Sequence, residues 1–290
     1  MLNISRSNLN SLSAIIANSL NEDDAFSDIT SDITIDSSLN SKFLINARQD
    51  LIFCGKEVII EVFSQLKKST KFNQQPIDLQ FNFNDGDFVE ASQNIVSGYG
   101  NTKIILAGER TLLNLIQHLS AIATNTKKFI DKINNPNIKI LDTRKTIPQL
   151  RELQKYAVRC AGGHNHRFNL SEMVLVKDNH IEACNGIENL QKKLLNYSDK
   201  KIEIECDKIE QIDNIIKIKP DVVMLDNFSK DDLIIAIKKI RNSSSSIKIE
   251  VSGGVNIENI ANYADLDIDF ISIGSLTNEI KIVDIGLDFI

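Results

Sequence analysis

From residue 138 onward the chain repeats one pattern: a short strand-like run, a polar or glycine-rich stop, then a helical or polar stretch. The runs fall at 138–141, 173–176, 202–205, 222–225, 247–251 and 270–273, and they stop at DTRK, KDNH, ECD, DNF, SGG and GS. Short apolar runs alternating with helix-length segments predict parallel strands joined by crossover helices. In such sheets the carboxyl ends of the strands share one edge, and sites form there. Six strands fall short of the eight of a standard barrel, so the pattern predicts an α/β barrel that is incomplete or distorted.

Upstream the pattern is mixed. Leu9, Leu12, Ile15, Ile16 and Leu20 keep helical spacing over 8–20, with Ser7 available as N-cap. The acidic NEDDAFSDITSDI that follows reads as a surface loop. Strands are predicted at 42–53, 77–83 and 88–95, a helix at 55–66, a loop at Gly98 and Gly100, and a short strand at KIILAGE. A long helix is predicted from Glu109, since Leu112, Leu115 or Ile116, Leu119, Ile122, Phe129 and Ile133 form one stripe and Asn135-Pro136 ends it. PQLRELQKYAVRC, from Pro148, reads as another helix. The expected organisation is an N-terminal α/β domain over 1–108 and a barrel over 109–276. The apolar tail 277–290 is expected to return to the first domain, and SSSS at 243–246 is too brief for a linker.

Charge narrows the choice of partner. Lys and Arg number 33 against 39 Asp and Glu, a net charge of -6, and no long basic run appears. Nucleic acid is therefore not the expected partner. No apolar run approaches a membrane span, and the polar N-terminus lacks the apolar core of a signal peptide, so a cytoplasmic protein is expected. Cys54, Cys160, Cys184 and Cys206 lie far apart with no C-x-x-C pair, which predicts reduced thiols.

Against this acidic background the cations gather at 141–180. Arg144, Lys145, Arg167 and Lys177 fall at two strand ends, beside Asp142 and Asp178. Arginine forks suit carboxylate or phosphate, and lysines act as point charges, so a small multiply charged anion is the expected ligand. Three of the four histidines, His164, His166 and His180, share the stretch without metal-ligand spacing; His166 fits anion contact, and His118 reads as structural. Glu205 and Asp226 each end a strand, as ligands for Mg²⁺ or as a general acid and base. Ser252-Gly253-Gly254 and Gly274-Ser275 follow the last two strands, where glycine lets backbone N–H groups approach a phosphate.

These stretches together resemble the quinolinate phosphoribosyltransferase family, carboxylating nicotinate-nucleotide pyrophosphorylases. The resemblance rests on ERTLLN at 109–114, AIAT at 121–124, DTRKT at 142–146 and LQKYAVRCAGGHNHR at 153–167. VLVKDNHI at 174–181, VSGG at 251–254, IGSLT at 273–277, and NEDDAFSDIT and CGKEV nearer the N-terminus extend it over nearly the whole chain. It implies an N-terminal α/β sandwich domain and a C-terminal incomplete α/β barrel, the type II phosphoribosyltransferase arrangement. The implied reaction is a pentosyl transfer: quinolinate and phosphoribosyl pyrophosphate give nicotinate mononucleotide, pyrophosphate and CO₂, with Mg²⁺, in de novo NAD biosynthesis.

By match, Arg144, Lys145, Arg167, Lys177, His166 and Arg110 face the two carboxylates, with Thr143 beside them. Arg110 comes from the neighbouring subunit of a homodimer, which in some members assembles further. Glu205 and Asp226 stand on the pyrophosphate side, directly or through water on Mg²⁺. Ser252, Gly253, Gly254, Gly274 and Ser275 take the 5′-phosphate, and Lys145, Glu205 and Asp226 are the catalytic set. Asn278 departs from the family's frequent histidine and Ala121 from a more usual glycine. Rival readings are a same-fold transferase with another acceptor, a Schiff-base aldolase using Lys145 or Lys177, and a non-enzymatic phosphate-binding barrel.

Overall fold

The computed structural model describes residues 6–72, 75–194, 199–244 and 246–290, with side chains of the first helix described from residue 11. It divides into two compact units, one comprising Met1–Lys127, Thr146–Gly162 and Leu276–Ile290, the other Lys128–Lys145 and Gly163–Ser275. No helix among the described residues is long and apolar enough to cross a membrane.

The first unit is built on strands β1 (Asn40–Ala47), β2 (Leu51–Ile52), β3 (Ile77–Phe81), β4 (Phe88–Val89) and β5 (Asn94–Asn101). β5 lies between β1 and β3 in an antiparallel sheet, and β2 pairs with β4. Alternation along β1 turns Phe43, Ile45 and Ala47 inward, each fully buried. The helix Lys56–Lys68 buries Val58, Ile59, Val62, Phe63 and Leu66, and the Phe43 and Phe63 rings pack with centroids 5.9 Å apart.

Several expectations are corrected here. Gly98 and Gly100 are not a loop but lie within β5, because neighbours pack where a side chain would stand. A Cβ on Gly98 would come within 2.2 Å of the Phe43 ring, and one on Gly100 within 2.4 Å of Ile77. KIILAGE is not a strand; the long helix begins at Thr102 and runs to Ile133. The Asn101 side chain starts it by accepting hydrogen bonds from the N–H groups of Lys103 and Ile104, at 3.2 and 3.4 Å. The apolar stripe is buried throughout, and Ala121 with it. Asn134, with φ of 47°, takes the chain out of the helix.

The acidic stretch near the N-terminus is likewise not a plain loop. It holds helical turns at Ala25–Ser27 and Ile29–Thr34, the second capped by Asp28, whose carboxylate accepts from the Ser31 N–H. The first helix starts at Arg6, so Ser7 lies inside it rather than at its cap, and the Leu9 side chain lies outside the described residues. Leu12, Ile16 and Leu20 are buried. The expected helix at Pro148 begins at Arg151, after Gln149 adopts φ of 68°.

The second unit contains β6 (Lys139–Leu141), β7 (Val174–Val176), β8 (Ile202–Cys206), β9 (Val222–Asp226), β10 (Lys248–Ser252) and β11 (Phe270–Ser272). They pair in the order β6-β11-β10-β9-β8-β7, every pair parallel, and among the described residues β6 and β7 do not pair with each other. This is the incomplete α/β barrel. Along β8, β9 and β10 one set of alternate residues is apolar and fully buried: Ile204, Cys206, Val223, Leu225, Ile249 and Val251. The other set carries Glu203, Glu205, Met224, Asp226, Glu250 and Ser252. One face of the sheet is thus wholly apolar while the other gathers charge. The final strand, β12 (Ile285–Phe289), pairs antiparallel with β1 in the first unit.

Candidate active site

All six barrel strands run the same way, so the segments after them share one edge. Three groups of side chains emerge from it.

The first is acidic. Glu205 near the end of β8, Asp207 just beyond it and Asp226 ending β9 each bring a carboxylate oxygen within 4.8 Å of the others. Period-two alternation that turns Glu205 to the charged face turns Asp207 there as well, so ECD carries two acids in its three residues. Burial raises the Glu205 carboxyl; Lys177, ion-paired to it, works the other way, and Asp226 and Asp207 add to the rise. Asp207 is raised for similar reasons, burial first and then the charges of Asp178 and Asp226. Three crowded carboxylates form an oxygen-only donor set, which suits a hard divalent cation such as Mg²⁺. Asp207 joins Glu205 and Asp226 as a site residue that the sequence pattern had not singled out.

The second group is cationic. Asp142, fully buried past the end of β6, accepts hydrogen bonds from the Asn165 side chain and from the His166 N–H, the latter at 3.0 Å. That pins the 164–167 loop against the segment carrying Thr143, Arg144 and Lys145. Arg167 Nη1 donates to the Met173 carbonyl at 3.2 Å. Its guanidinium is held below the usual arginine range by burial and by the Arg144 charge, while Glu203 acts in the opposite sense. Arg144, half-buried and close enough to disfavour the Arg167 charge, makes with it a site that gains by taking up an anion. His166 lies in the same loop, with its ring turned toward Glu203 and Glu250.

The third group is glycine. Gly253 and Gly254 adopt φ of 86° and 60° after Ser252, and a Cβ on Gly253 would fall 2.2 Å from Asn227 Oδ1. Only glycine fits there, and it keeps this turn open as backbone. Lys145 lies across Gly274, where a Cβ would meet its Cδ at 3.0 Å. Ser275 opens the short helix Ser275–Asn278, and Asn278 is exposed.

Arg110 belongs to the first unit. It is exposed on the long helix of the first unit, and no ion pair with Glu109 occurs among the described residues. The other histidines have local duties: His118 meets the Gln154 amide at 2.8 Å, and His180 Nδ1 accepts from the Lys177 N–H at 3.0 Å.

Known proteins share this arrangement. Residues 28–120 match the N-terminal domain of quinolinate phosphoribosyl transferase and residues 122–288 its C-terminal domain. The chain belongs to the quinolinate phosphoribosyltransferase family.

A family member from Methanocaldococcus jannaschii, a probable carboxylating nicotinate-nucleotide pyrophosphorylase, is 38% identical over 95% of this chain and 96% of its own. The solved nicotinate-nucleotide pyrophosphorylase of Francisella tularensis superposes with a TM-score of 0.87 at 37% identity, covering 97% of this chain and 96% of that one. The enzyme from Ehrlichia chaffeensis gives 0.88 at 37% identity over 100% of both chains. Within this phosphoribosyltransferase the charged edge can be matched to a reaction.

The interior acids also predict a pH dependence. Glu250 is pushed up to about 8, by burial first and then by the Glu203 charge, from an ordinary value of 4.5. A raised folded-state value contributes stability that is complete below about 4.5 and is lost as pH rises from there through about 8. The unfolding midpoint of wild type should therefore fall relative to that of Glu250→Gln as pH rises across this window. A constant difference between the two would show that Glu250 does not titrate there.

Proposed function

We propose that this chain transfers phosphoribosyl from phosphoribosyl pyrophosphate to quinolinate with decarboxylation, giving nicotinate mononucleotide, pyrophosphate and CO₂. The observation that carries this reading is that Asp142 ties the loop bearing Arg167 to the segment bearing Arg144 on the strand edge that also bears the acidic trio. One group suits a dicarboxylate and the other a pyrophosphate bound with a cation.

Arg144 and Arg167, with Lys145 and Lys177, neutralise and orient the quinolinate carboxylates. The Gly253-Gly254 turn and Gly274-Ser275 offer backbone groups to the 5′-phosphate, beside Ser252. Glu205, Asp207 and Asp226 would hold Mg²⁺, which supplies charge neutralisation for the leaving pyrophosphate. The pyridine nitrogen bonds to the anomeric carbon as that carbon's bond to pyrophosphate breaks. Once ribosylated, the nitrogen is positively charged and stabilises the electron pair left on the adjacent carbon when CO₂ departs; a proton then replaces the carboxylate. Water supplies that proton, and the chain's task in this second step is to hold the ring in place.

The reading includes a cytoplasmic homodimer in which Arg110 of each subunit serves its neighbour's site, and further assembly of dimers is compatible with it. It also predicts a metal requirement. Asp226→Asn should raise the Mg²⁺ concentration needed for half-maximal turnover, because one of three converging carboxylates loses its charge. Full wild-type activity in excess chelator would remove the metal from the scheme and leave Glu205 and Asp226 as acid and base.

A further inference from the structure

Away from the charged edge, the first unit buries two thiols in contact. Cys54 Sγ donates to Cys160 Sγ at 3.7 Å, across 106 residues of sequence. Cys54 lies just past β2, and Cys160 ends the helix Arg151–Cys160. Neither serves the reaction derived above. The backbone on both sides is held. The Cys54 N–H donates to Ser120 Oγ at 3.0 Å, and that hydroxyl donates to the Cys54 carbonyl at 3.2 Å. Beside Cys160 the chain packs so closely that a Cβ on Gly86 would fall 2.7 Å from its carbonyl oxygen. The fold thus sets the two sulfurs together, and they need close by only about 1.6 Å to bond.

The surroundings decide what such a pair can do. Asp85 puts a carboxylate oxygen within 4.8 Å of both sulfurs. That carboxylate is already committed: Oδ1 accepts the N–H groups of Gly55 and Lys56 at 2.8 and 2.9 Å, and Oδ2 accepts the Tyr156 hydroxyl at 2.7 Å. A structural zinc site takes four ligands, whereas among the described residues this group offers two sulfurs and a carboxylate in use. Burial first, then the neighbouring sulfur and the Asp85 charge, push the Cys54 thiol well up. Cys54 therefore keeps its proton and is not the thiol that an oxidant meets first. Cys160 is nearer solvent, 8% exposed against 0% for Cys54. So slight an exposure favours a small neutral oxidant, of which hydrogen peroxide is the simplest.

We propose that Cys54 and Cys160 form a reversible dithiol–disulfide pair, in which a peroxide oxidises Cys160 and Cys54 captures the product. Cys160 Sγ attacks one peroxide oxygen, the O–O bond breaks, and water leaves with the thiol proton, so sulfur is oxidised to a sulfenic acid and oxygen is reduced. Cys54 Sγ then attacks Cys160 Sγ, the S–O bond breaks, and hydroxide departs with the Cys54 proton as a second water. The first step is slow, because a buried thiol is a poor nucleophile. The second is fast, because its partner is already in contact. Oxidation of Cys160 therefore stops at a disulfide that a dithiol reduces, short of the irreversible sulfinic acid. None of this rests on the quinolinate reading.

Peptide mapping of the folded, full-length chain tests the proposal, with C184S removing the more exposed thiol as an exchange partner. The chain is exposed to hydrogen peroxide, catalase removes the oxidant, and only then is the chain unfolded in an alkylating agent and digested without reduction. The Cys54 and Cys160 thiols should be lost one for one. A peptide joining them should appear, two hydrogens lighter than the sum of its parts, and dithiothreitol should restore both thiols. In C54A/C184S the sulfenic acid has no partner, and dimedone labelling of Cys160 should rise by about tenfold or more over C184S. A sulfinic or dimedone-labelled Cys160 beside an intact Cys54 thiol in the C184S chain overturns the proposal. So does survival of both thiols under an exposure that fully oxidises Cys184 in the wild-type chain. Should C54A/C184S not fold, the C184S map still decides. No arm of the experiment needs turnover, so its failure leaves the functional reading untouched.

Discussion

Alanine at Arg144 or at Arg167 is expected to weaken quinolinate binding by roughly tens- to thousands-fold, the 2–5 kcal/mol typical of removing one partner from a buried charge-assisted contact. Donor binding should change little, because the glycine turns and acidic trio lie on other strands of the edge. The Arg144 charge disfavours that of Arg167 in the free protein. The double variant should therefore lose less than the sum of the single losses, a coupling expected for residues that share one ligand. Lysine should not rescue Arg167, since the fork that donates to the Met173 carbonyl is lost with it. Calorimetric titration with quinolinate and, separately, with the donor reads these effects. Unchanged quinolinate affinity in both alanine variants would remove the pair from the site.

A second large effect is expected from mixed dimers. Arg110 is exposed on the helix of the first unit, whereas Lys145 lies across Gly274 in the second. If Arg110 completes the neighbour's site, Arg110→Ala and Lys145→Ala should each be inactive alone. After random subunit exchange, half the dimers are mixed, and each has one site carrying both defects and one intact site. Activity should return to about a quarter of wild type. With exchange verified by mass, no recovery would mean that Arg110 acts within its own subunit, or not at all.

The parallel half of the fold was legible because its signal is local and repeated. Each of the six strands falls where an apolar run stops at a polar or glycine residue, and the site follows from the shared direction of those strands. The antiparallel half was less legible, for reasons seen in single residues. Gly98 and Gly100 read as a loop because the demand for glycine comes from Phe43 and Ile77, which are distant in sequence. KIILAGE is apolar enough for a strand; what makes it helical is the Asn101 cap and packing over which local spacing has no say.

The candidate site divides in the same way. Arg144, Arg167, Glu205 and Asp226 are visible as charges at strand ends. Asp207 needed only the period-two alternation. Glu203 and Glu250 sit inside runs that look like strands with solvated alternate positions, yet both are buried. His166 showed its charge type in the sequence but not its surroundings: Asp142 beyond β6 holds its backbone N–H, and its ring lies near Glu203 of β8 and Glu250 of β10.

The most direct measurement of the central claim is release of labelled CO₂ from carboxyl-labelled quinolinate by the purified chain, with phosphoribosyl pyrophosphate and Mg²⁺, and with nicotinate as the competing acceptor. The account predicts CO₂ release that depends on both substrates, formation of nicotinate mononucleotide in equal amount, and no comparable turnover of nicotinate. Nucleotide formation from nicotinate without quinolinate-dependent CO₂ would contradict it.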